Sequence, residues 1–305
     1  MKSLKNSLML FLTALIWGVA FVAQSVSAEY IGAFTFNGIR CFLGGLVLLP
    51  FIMFTDKKRA QTNDKTDNID YSWKNKKLLT GGILCGIILC IASNLQQIGI
   101  TYTTVGKAGF ITALYVVLVP IAEIFLHKKN SVLTWISVAL SVIGLYLLCI
   151  KEDISIQKGD FYVLLCAIVF TLHIIIIDYF VNFVDGVKMS CIQFFVCSLL
   201  SCFVMLFTET PNMNNIFSAG ISILYSGILS CGVAYTLQIV GQKGVNPTVA
   251  SLILCLESVI SALAGWLILG QKLSARELTG CALMFTAIIL SQIPVKCIFK
   301  KKQTE

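Results

Sequence analysis

Charge is scarce in this chain. Asp, Glu, Lys and Arg make up 12% of 305 residues, while 57% are hydrophobic. Soluble domains carry about 25% charge, and no water-soluble fold of this size could hide so much apolar surface. Histidine is scarcer still, with His127 and His173 the only two, so a His-based active site is thinly supplied. H-E-x-x-H, G-x-S-x-G and G-x-x-x-x-G-K-[ST] are all missing. Their absence removes a zincin site, a nucleophile elbow and an ATP phosphate loop from this chain. Twelve cysteines are present, but no two have C-x-x-C spacing and almost all sit in apolar stretches. They read as small buried thiols, neither a disulfide framework nor a metal set. No metal and no cofactor is expected.

What the chain does have is membrane-length apolar segments. A bilayer crossing takes about 20 apolar residues. Such segments cover 7–25, 33–55, 77–98, 104–126, 131–150, 158–180, 187–208, 216–240, 246–269 and 275–295, numbered here as spans 1 to 10. Five fall in each half, and five is odd, so the second half must thread the membrane upside down relative to the first. The expected fold is an all-α integral membrane protein of ten transmembrane helices, two inverted five-helix repeats around a central cavity. The repeats divide the chain at 1–155 and 156–305, and residues 56–76 form a polar cytoplasmic loop between spans 2 and 3.

The net charge of +8 is a topology signal. Seventeen Lys and Arg residues, among them Lys57, Lys58, Arg59, Lys74, Lys128, Lys188 and Lys243, fall on one side of the ten-span arrangement. Five fall on the other side: Lys107, Lys151, Lys158, Lys272 and Arg276. This places both termini in the cytoplasm of a plasma membrane, adds attraction to anionic inner-leaflet lipid, and argues against nucleic acid as a partner. The N-terminus mimics a signal peptide, with Lys2, Lys5, an apolar run and Val26-Ser27-Ala28. Cleavage there would delete Ala14-Leu15-Ile16-Trp17, the counterpart of Ala167-Ile168-Val169-Phe170, so the segment is expected to be retained as span 1.

The repeat is visible by hand. Leu95-Gln96-x-x-Gly99 matches Leu237-Gln238-x-x-Gly241, Ala108 matches Ala250, Leu114 matches Leu256, and Tyr115 falls opposite Glu257. One residue further slipped, Ser131 matches Ser274 and Ala139-Leu140 matches Ala282-Leu283. Other pieces are Leu15-Ile16-Trp17-Gly18-Val19-Ala20-Phe21, Asn37-Gly38-Ile39-Arg40-Cys41-Phe42-Leu43, Ala108-Gly109-Phe110 through Val119-Pro120, Leu256-Glu257-Ser258-Val259 and Leu269-Gly270-Gln271-Lys272-Leu273-Ser274. Across residues 7–295 the chain resembles the drug/metabolite transporter superfamily, in its EamA-type ten-helix form. The resemblance implies that spans 1, 3, 4, 6, 8 and 9 line the cavity, that spans 5 and 10 pack outside, and that Arg40 has a structural or gating role. The chain departs from the family at Gln271, where Glu is usual, and at Ser258, where Pro is common.

Ionisable groups in hydrocarbon are costly and mark function by default. Glu257 lies about 11 residues from either end of span 9, roughly 16 Å of helical rise. It must pair, face a wet cavity or be protonated; a structural hydrogen bond is the plain alternative. Arg40, in the outer third of span 2, could counter an anionic group or pair with a carboxylate. His173 and Asp178 are about 140° apart around span 6; His173 is the deeper and could face the cavity, while Asp178 reads as interfacial. Glu123 is expected to form a helix-end ion pair with His127 and Lys128, and Lys107 to snorkel at the outer face. Asn94, Gln96 and Gln97 in span 3, with Tyr235 and Gln238 in span 8, are hydrogen-bonding tools for a substrate or glue between helices. Trp17 and Tyr115 add aromatic surface. Pro120 invites a kink in span 4, and because span 9 lacks a matching Pro the two halves need not bend alike.

The expected function is a secondary transporter, an exporter that moves a small polar or amphipathic metabolite by alternating access, with a proton as the candidate coupling ion. An intramembrane enzyme and a non-transporting sensor or partner protein are the rivals.

Overall fold

The computed structural model describes residues 2–62, 71–103, 105–128, 130–149, 157–269 and 274–291. Gln271, Lys272, the middle of the 56–76 loop, the 150–156 connection and the basic tail from residue 292 lie outside the described residues.

Every described element is helical. The first half contains α1 (Lys2–Ala28), α2 (Ala33–Thr62), α3 (Lys76–Tyr102), α4 (Val105–Ala113), α5 (Tyr115–Phe125) and α6 (Val132–Cys149). The second contains α7 (Lys158–Phe180), α8 (Gly186–Thr208), the short α9 (Met213–Ser218) and α10 (Gly220–Leu224), a π-helical segment (Tyr225–Tyr235), α11 (Thr236–Gln242), α12 (Pro247–Leu254), α13 (Leu256–Leu269) and α14 (Ala275–Ser291). Eight helical stretches among the described residues are long and apolar enough to cross a membrane, and Val132–Leu148 is a shorter apolar helix. Their outward faces are greasy: Phe125 is 79% exposed, Phe207 76% and Ile221 87%. Apolar exposure on that scale needs lipid.

Starts are set by local chemistry. Asn75, Asp185 and Asn246 each cap a helix by accepting from the first backbone N–H groups of α3, α8 and α12, donors a helix cannot satisfy internally. α2 runs past the expected end of its span, where its last, polar turns are anchored by ion pairs. Arg59 reaches Asp185 at 2.6 Å, and Lys188 reaches Asp56 at 2.7 Å. Residues 56–62 are therefore helix, where the sequence reading put loop.

The helices pack across the two halves more than within them. α3 lies on α7 and α8, α2 on α8 and the π-helical segment, α1 on α13, and α6 on α14. Close approach rests on glycine in the last of these: a Cβ at Gly280 would sit 2.6 Å from the Gly144 carbonyl oxygen. Small residues that bring backbones together are the main source of helix association in lipid.

Two expected spans are broken. Span 4 divides at Leu114 into α4 and α5, and span 9 divides at Cys255 into α12 and α13. The breaks have one form: Val117 N–H donates to the Leu114 carbonyl at 2.9 Å, and Ser258 N–H to the Cys255 carbonyl at 3.1 Å. Pro120 lies inside α5, well past the first break, and Ser258 stands where the second half has no Pro. The sequence left open whether the two halves bend alike; the same tightened turn occurs in both, six residues before Pro120 in the first. The bend is a tightened i→i+3 turn common to both halves, and no missing N–H is needed to produce it. The thiol of Cys255 reaches the Ala113 carbonyl at 3.5 Å, so the two breaks face each other and one helps satisfy the backbone of the other.

Candidate functional site

A cavity of about 470 Å³ of atom-free space, open solvent at its mouth included, lies where the two breaks meet. Its wall is drawn from α1, α2, α3, α4, α5, α7, the π-helical segment, α11, α12 and α13. Glu257 and Tyr115 sit on it, each just past its helix break. The Tyr115 hydroxyl donates to Glu257 Oε1 at 3.1 Å. Both are buried, and Tyr115 is the protein hydrogen-bond donor on that carboxylate.

Arg40 also lines the cavity and is 2% exposed. Among the described residues it forms no ion pair, and its Nε has no hydrogen-bond partner. Its guanidinium stands 4.9 Å over the Phe36 ring, with Cys41, Cys197, Cys231 and Tyr235 near enough to interact with it electrostatically. Cys41 and Cys197 touch, Sγ to Sγ at 3.4 Å, with both thiols free. A cation–π contact offsets part of the cost of burying such a charge, but not all of it.

Aromatic surface surrounds these charges. Trp17 and Tyr235 pack with ring centroids 4.5 Å apart, and both line the cavity with Gln96 and Gln238. The π-helical segment explains how the wall on that side is built. Its wider turns present backbone carbonyls outward: Ser230 O accepts from Trp17 Nε1 at 3.4 Å, and Ala234 O accepts from Thr13 Oγ1 at 3.0 Å.

Three residues expected at the cavity are not on its wall; each is hydrogen-bonded to a neighbouring helix, although Gln97 Oε1 and His173 Nδ1 have no partner among the described residues. Asn94 accepts from Asn37 at 3.0 Å and donates to Ser201 at 3.0 Å. Gln97 donates to the Gln24 carbonyl at 3.0 Å. His173 shares a hydrogen bond with Gln193 at 3.1 Å and packs edge-on against Tyr235 behind the lining. All three act as interhelical glue. Conversely, Gln24, Thr112, Phe170 and Ser230 line the cavity and were not singled out in the sequence. Gln24 carried a usable signal, a polar side chain in an apolar span; its Oε1 has no partner.

Glu123 is a second correction. It was expected to pair with His127 and Lys128. Instead it is fully buried and accepts from Asn130 Nδ2 at 2.8 Å, Thr248 Oγ1 at 2.5 Å and Asn246 Nδ2 at 3.3 Å. The reason lies in the backbone. His127 adopts φ 58°, and Lys128 N–H bonds back to the Glu123 carbonyl at 2.9 Å, a left-handed helix termination. The chain leaves the helical path there, so residue 127 is no longer one turn above residue 123. Lys128 pairs with Asp178 instead, at 2.7 Å.

Fold and site together define a polytopic α-helical membrane protein with a charged, aromatic cavity between its two halves. The chain belongs to the EamA-like transporter family, which matches residues 4–150 and again residues 157–292. An uncharacterized transporter of Archaeoglobus fulgidus is 29% identical over 295 residues, covering 96% of this chain and 88% of that protein. The uncharacterized transporter YoaV of Bacillus subtilis is 22% identical, covering 91% of this chain and 93% of its own. One solved crystal structure shares the fold at a TM-score of 0.75 with 15% identity, over 98% of this chain and 99% of that one.

Proposed function

We propose that this membrane protein is a secondary carrier built as two inverted five-helix repeats, ten crossings in all, with both termini in the cytoplasm of the plasma membrane. The single observation that carries the reading is the cavity at the paired helix breaks, closed on one wall by the Tyr115–Glu257 hydrogen bond. Broken helices that meet at mid-membrane are how carriers place polar groups around a substrate without exposing backbone to lipid. Helix packing that pairs the halves supports the inverted arrangement: α1 on α13 answers α7 on α4 and α5, and α2 on the π-helical segment answers α8 on α3.

Polar ties at one end support alternating access. The Glu123 cluster joins α5 to the start of α12, and Asn6 donates to the Lys243 carbonyl between α1 and the α11–α12 turn. Under the charge-derived topology that end faces the cytoplasm, so this conformation is shut on the inside. Glu257 is the group that would carry a coupled proton.

The test is flux. Proteoliposomes loaded with a cytosolic metabolite extract should lose a defined small polar or amphipathic compound, followed by mass spectrometry, and faster across an imposed pH gradient. Retention of every compound at the rate of protein-free liposomes would refute the carrier reading.

A further inference from the structure

Four thiols cluster behind the cavity wall, on the side of Arg40. Cys41 of α2 and Cys197 of α8 are in contact, Sγ to Sγ at 3.4 Å. Cys231 of the π-helical segment stands beside Cys41, and Cys90 of α3 beside Cys197. All four are buried and free. The helices that carry the central pair come from opposite halves and are held against each other there. Ser198 Oγ donates to the Gly38 carbonyl at 2.8 Å, and a Cβ at Gly44 would stand 2.5 Å from Cys231 Cβ. Among the described residues Arg40 forms no ion pair and its Nε has no partner, while Cys41, Cys197 and Cys231 lie within its electrostatic reach.

Buried thiols are ordinarily inert packing. Two observations set this cluster apart. A buried guanidinium needs a negative partner, and a thiolate is what these neighbours can offer; sulfur held beside a cation is also the sulfur that reacts. Arg40 lines the cavity as well, so a water-sized solute in the cavity meets the charged group that the thiols surround. We infer that Cys41 and Cys197 form a reversible redox site, oxidised by hydrogen peroxide to a disulfide, with Arg40 as its positioning residue. The thiolate facing Arg40 attacks one peroxide oxygen. An S–O bond forms, the O–O bond breaks, and the departing hydroxide becomes water with the proton that the thiol gave up. The second thiol then attacks the sulfenic sulfur. The S–S bond forms, the S–O bond breaks, and a second water leaves with the second thiol's proton. Two thiols lose two electrons and one peroxide becomes two waters. The sulfurs are close enough for side-chain rotation to complete the bond. The disulfide ties α2 to α8 and takes from Arg40 its negative neighbour, so the charge on the cavity wall follows the oxidation state.

The experiment uses the full chain in lipid nanodiscs, exposed to hydrogen peroxide, then denatured, alkylated with iodoacetamide and digested without reductant. Mass spectrometry should find the Cys41 peptide joined to the Cys197 peptide while Cys85, Cys166 and Cys255 are still alkylated. Dithiothreitol should return both residues to the alkylated form. With either partner replaced, in Cys41→Ser and Cys197→Ser, no cystine can form, and one of the two variants should hold a sulfenic acid that dimedone captures. Arg40→Gln should slow formation of the cystine roughly tenfold, because the cation no longer favours the thiolate, whereas Arg40→Lys should recover part of the rate. A purely structural cluster would give neither the dimedone adduct nor the rate difference. Where Arg40→Gln fails to fold, judged by its melting curve, the pairing and the dimedone adduct decide. Cys41 and Cys197 still alkylated when the other thiols are oxidised, a cystine between different partners, no dimedone adduct in either serine variant, or a folded Arg40→Gln that oxidises at the wild-type rate would each overturn the inference.

Discussion

The Tyr115 hydroxyl donates to Glu257 Oε1 at 3.1 Å, joining two residues that occupy the same position in the two sequence repeats. On the proposed inverted-repeat arrangement, repeat-related residues touch only near the axis that relates the halves, which puts this contact at the centre of the molecule. It also fixes which way the carboxylate points. Tyr115→Phe keeps the ring and removes the donor. A hydrogen bond to a charged group is worth about 1.5–3 kcal/mol. The bond is made within the substrate-free protein, so its loss should lower the melting temperature, and half-maximal flux should need more substrate because the carboxylate is no longer oriented. Unaltered half-saturation would show that the hydroxyl does not serve the site.

Glu257 itself is tested by Glu257→Gln, which preserves shape and removes the titrating group. Tyr115 bonds to it and Arg40 lines the same cavity; neither can replace a carboxylate as a proton carrier. Transport by the variant should lose its dependence on pH, with normal membrane insertion judged by gel filtration in detergent. A pH profile identical to wild type would remove Glu257 from coupling.

Glu123 holds the two halves together at one end of the bundle. Glu123→Ala leaves the side chains of Asn130, Asn246 and Thr248 without their shared acceptor; of the three donors only Thr248 is buried, so the cost is about 1–3 kcal/mol, that of one stranded buried donor. The melting temperature of purified protein should fall clearly, and Glu123→Gln should recover part of the loss. Equal stability of all three proteins would contradict the described network.

Gly280→Ala probes the α6–α14 contact. The added Cβ would stand 2.6 Å from the Gly144 carbonyl and 2.9 Å from the Leu148 nitrogen, so backbone must move, at about 1–3 kcal/mol. Neither helix contributes to the cavity wall. Thermal stability should drop while substrate affinity of the folded fraction stays unchanged; a loss of affinity would place these helices in the transport path.

Topology has its own check. Lys74 is exposed in the turn before α3. Lys74→Cys should react with an impermeant maleimide in permeabilised cells and resist it in intact ones. Modification in intact cells would reverse the orientation.

Much of this site was legible beforehand because depth in a span is a sequence property. Glu257, Tyr115, Trp17, Tyr235 and Gln238 follow from position and residue type, and all five line the cavity; Arg40, expected in a structural or gating role on a span not expected at the cavity, lines it too. Asn94, Gln97 and His173 were picked by the same rule and lie off it. A polar residue in an apolar helix must find a partner, and the sequence does not say whether the partner is a neighbouring helix or a ligand. Glu123 was misread for a different reason. The i, i+4 rule assumes the helix continues, and the left-handed turn at His127 ends it.

Composition and spacing alone determined that the chain lives in a bilayer, that it is helical, and that its two halves repeat, because hydrophobic length and order are written residue by residue. The helix breaks at Leu114 and Cys255, the π-helical turn and the separation of Arg40 from Glu257 were decided only by tertiary packing. A backbone carbonyl or a buried charge can be left without a local partner only when a distant segment stands ready to face it, and that proximity exists in the folded molecule and nowhere along the chain.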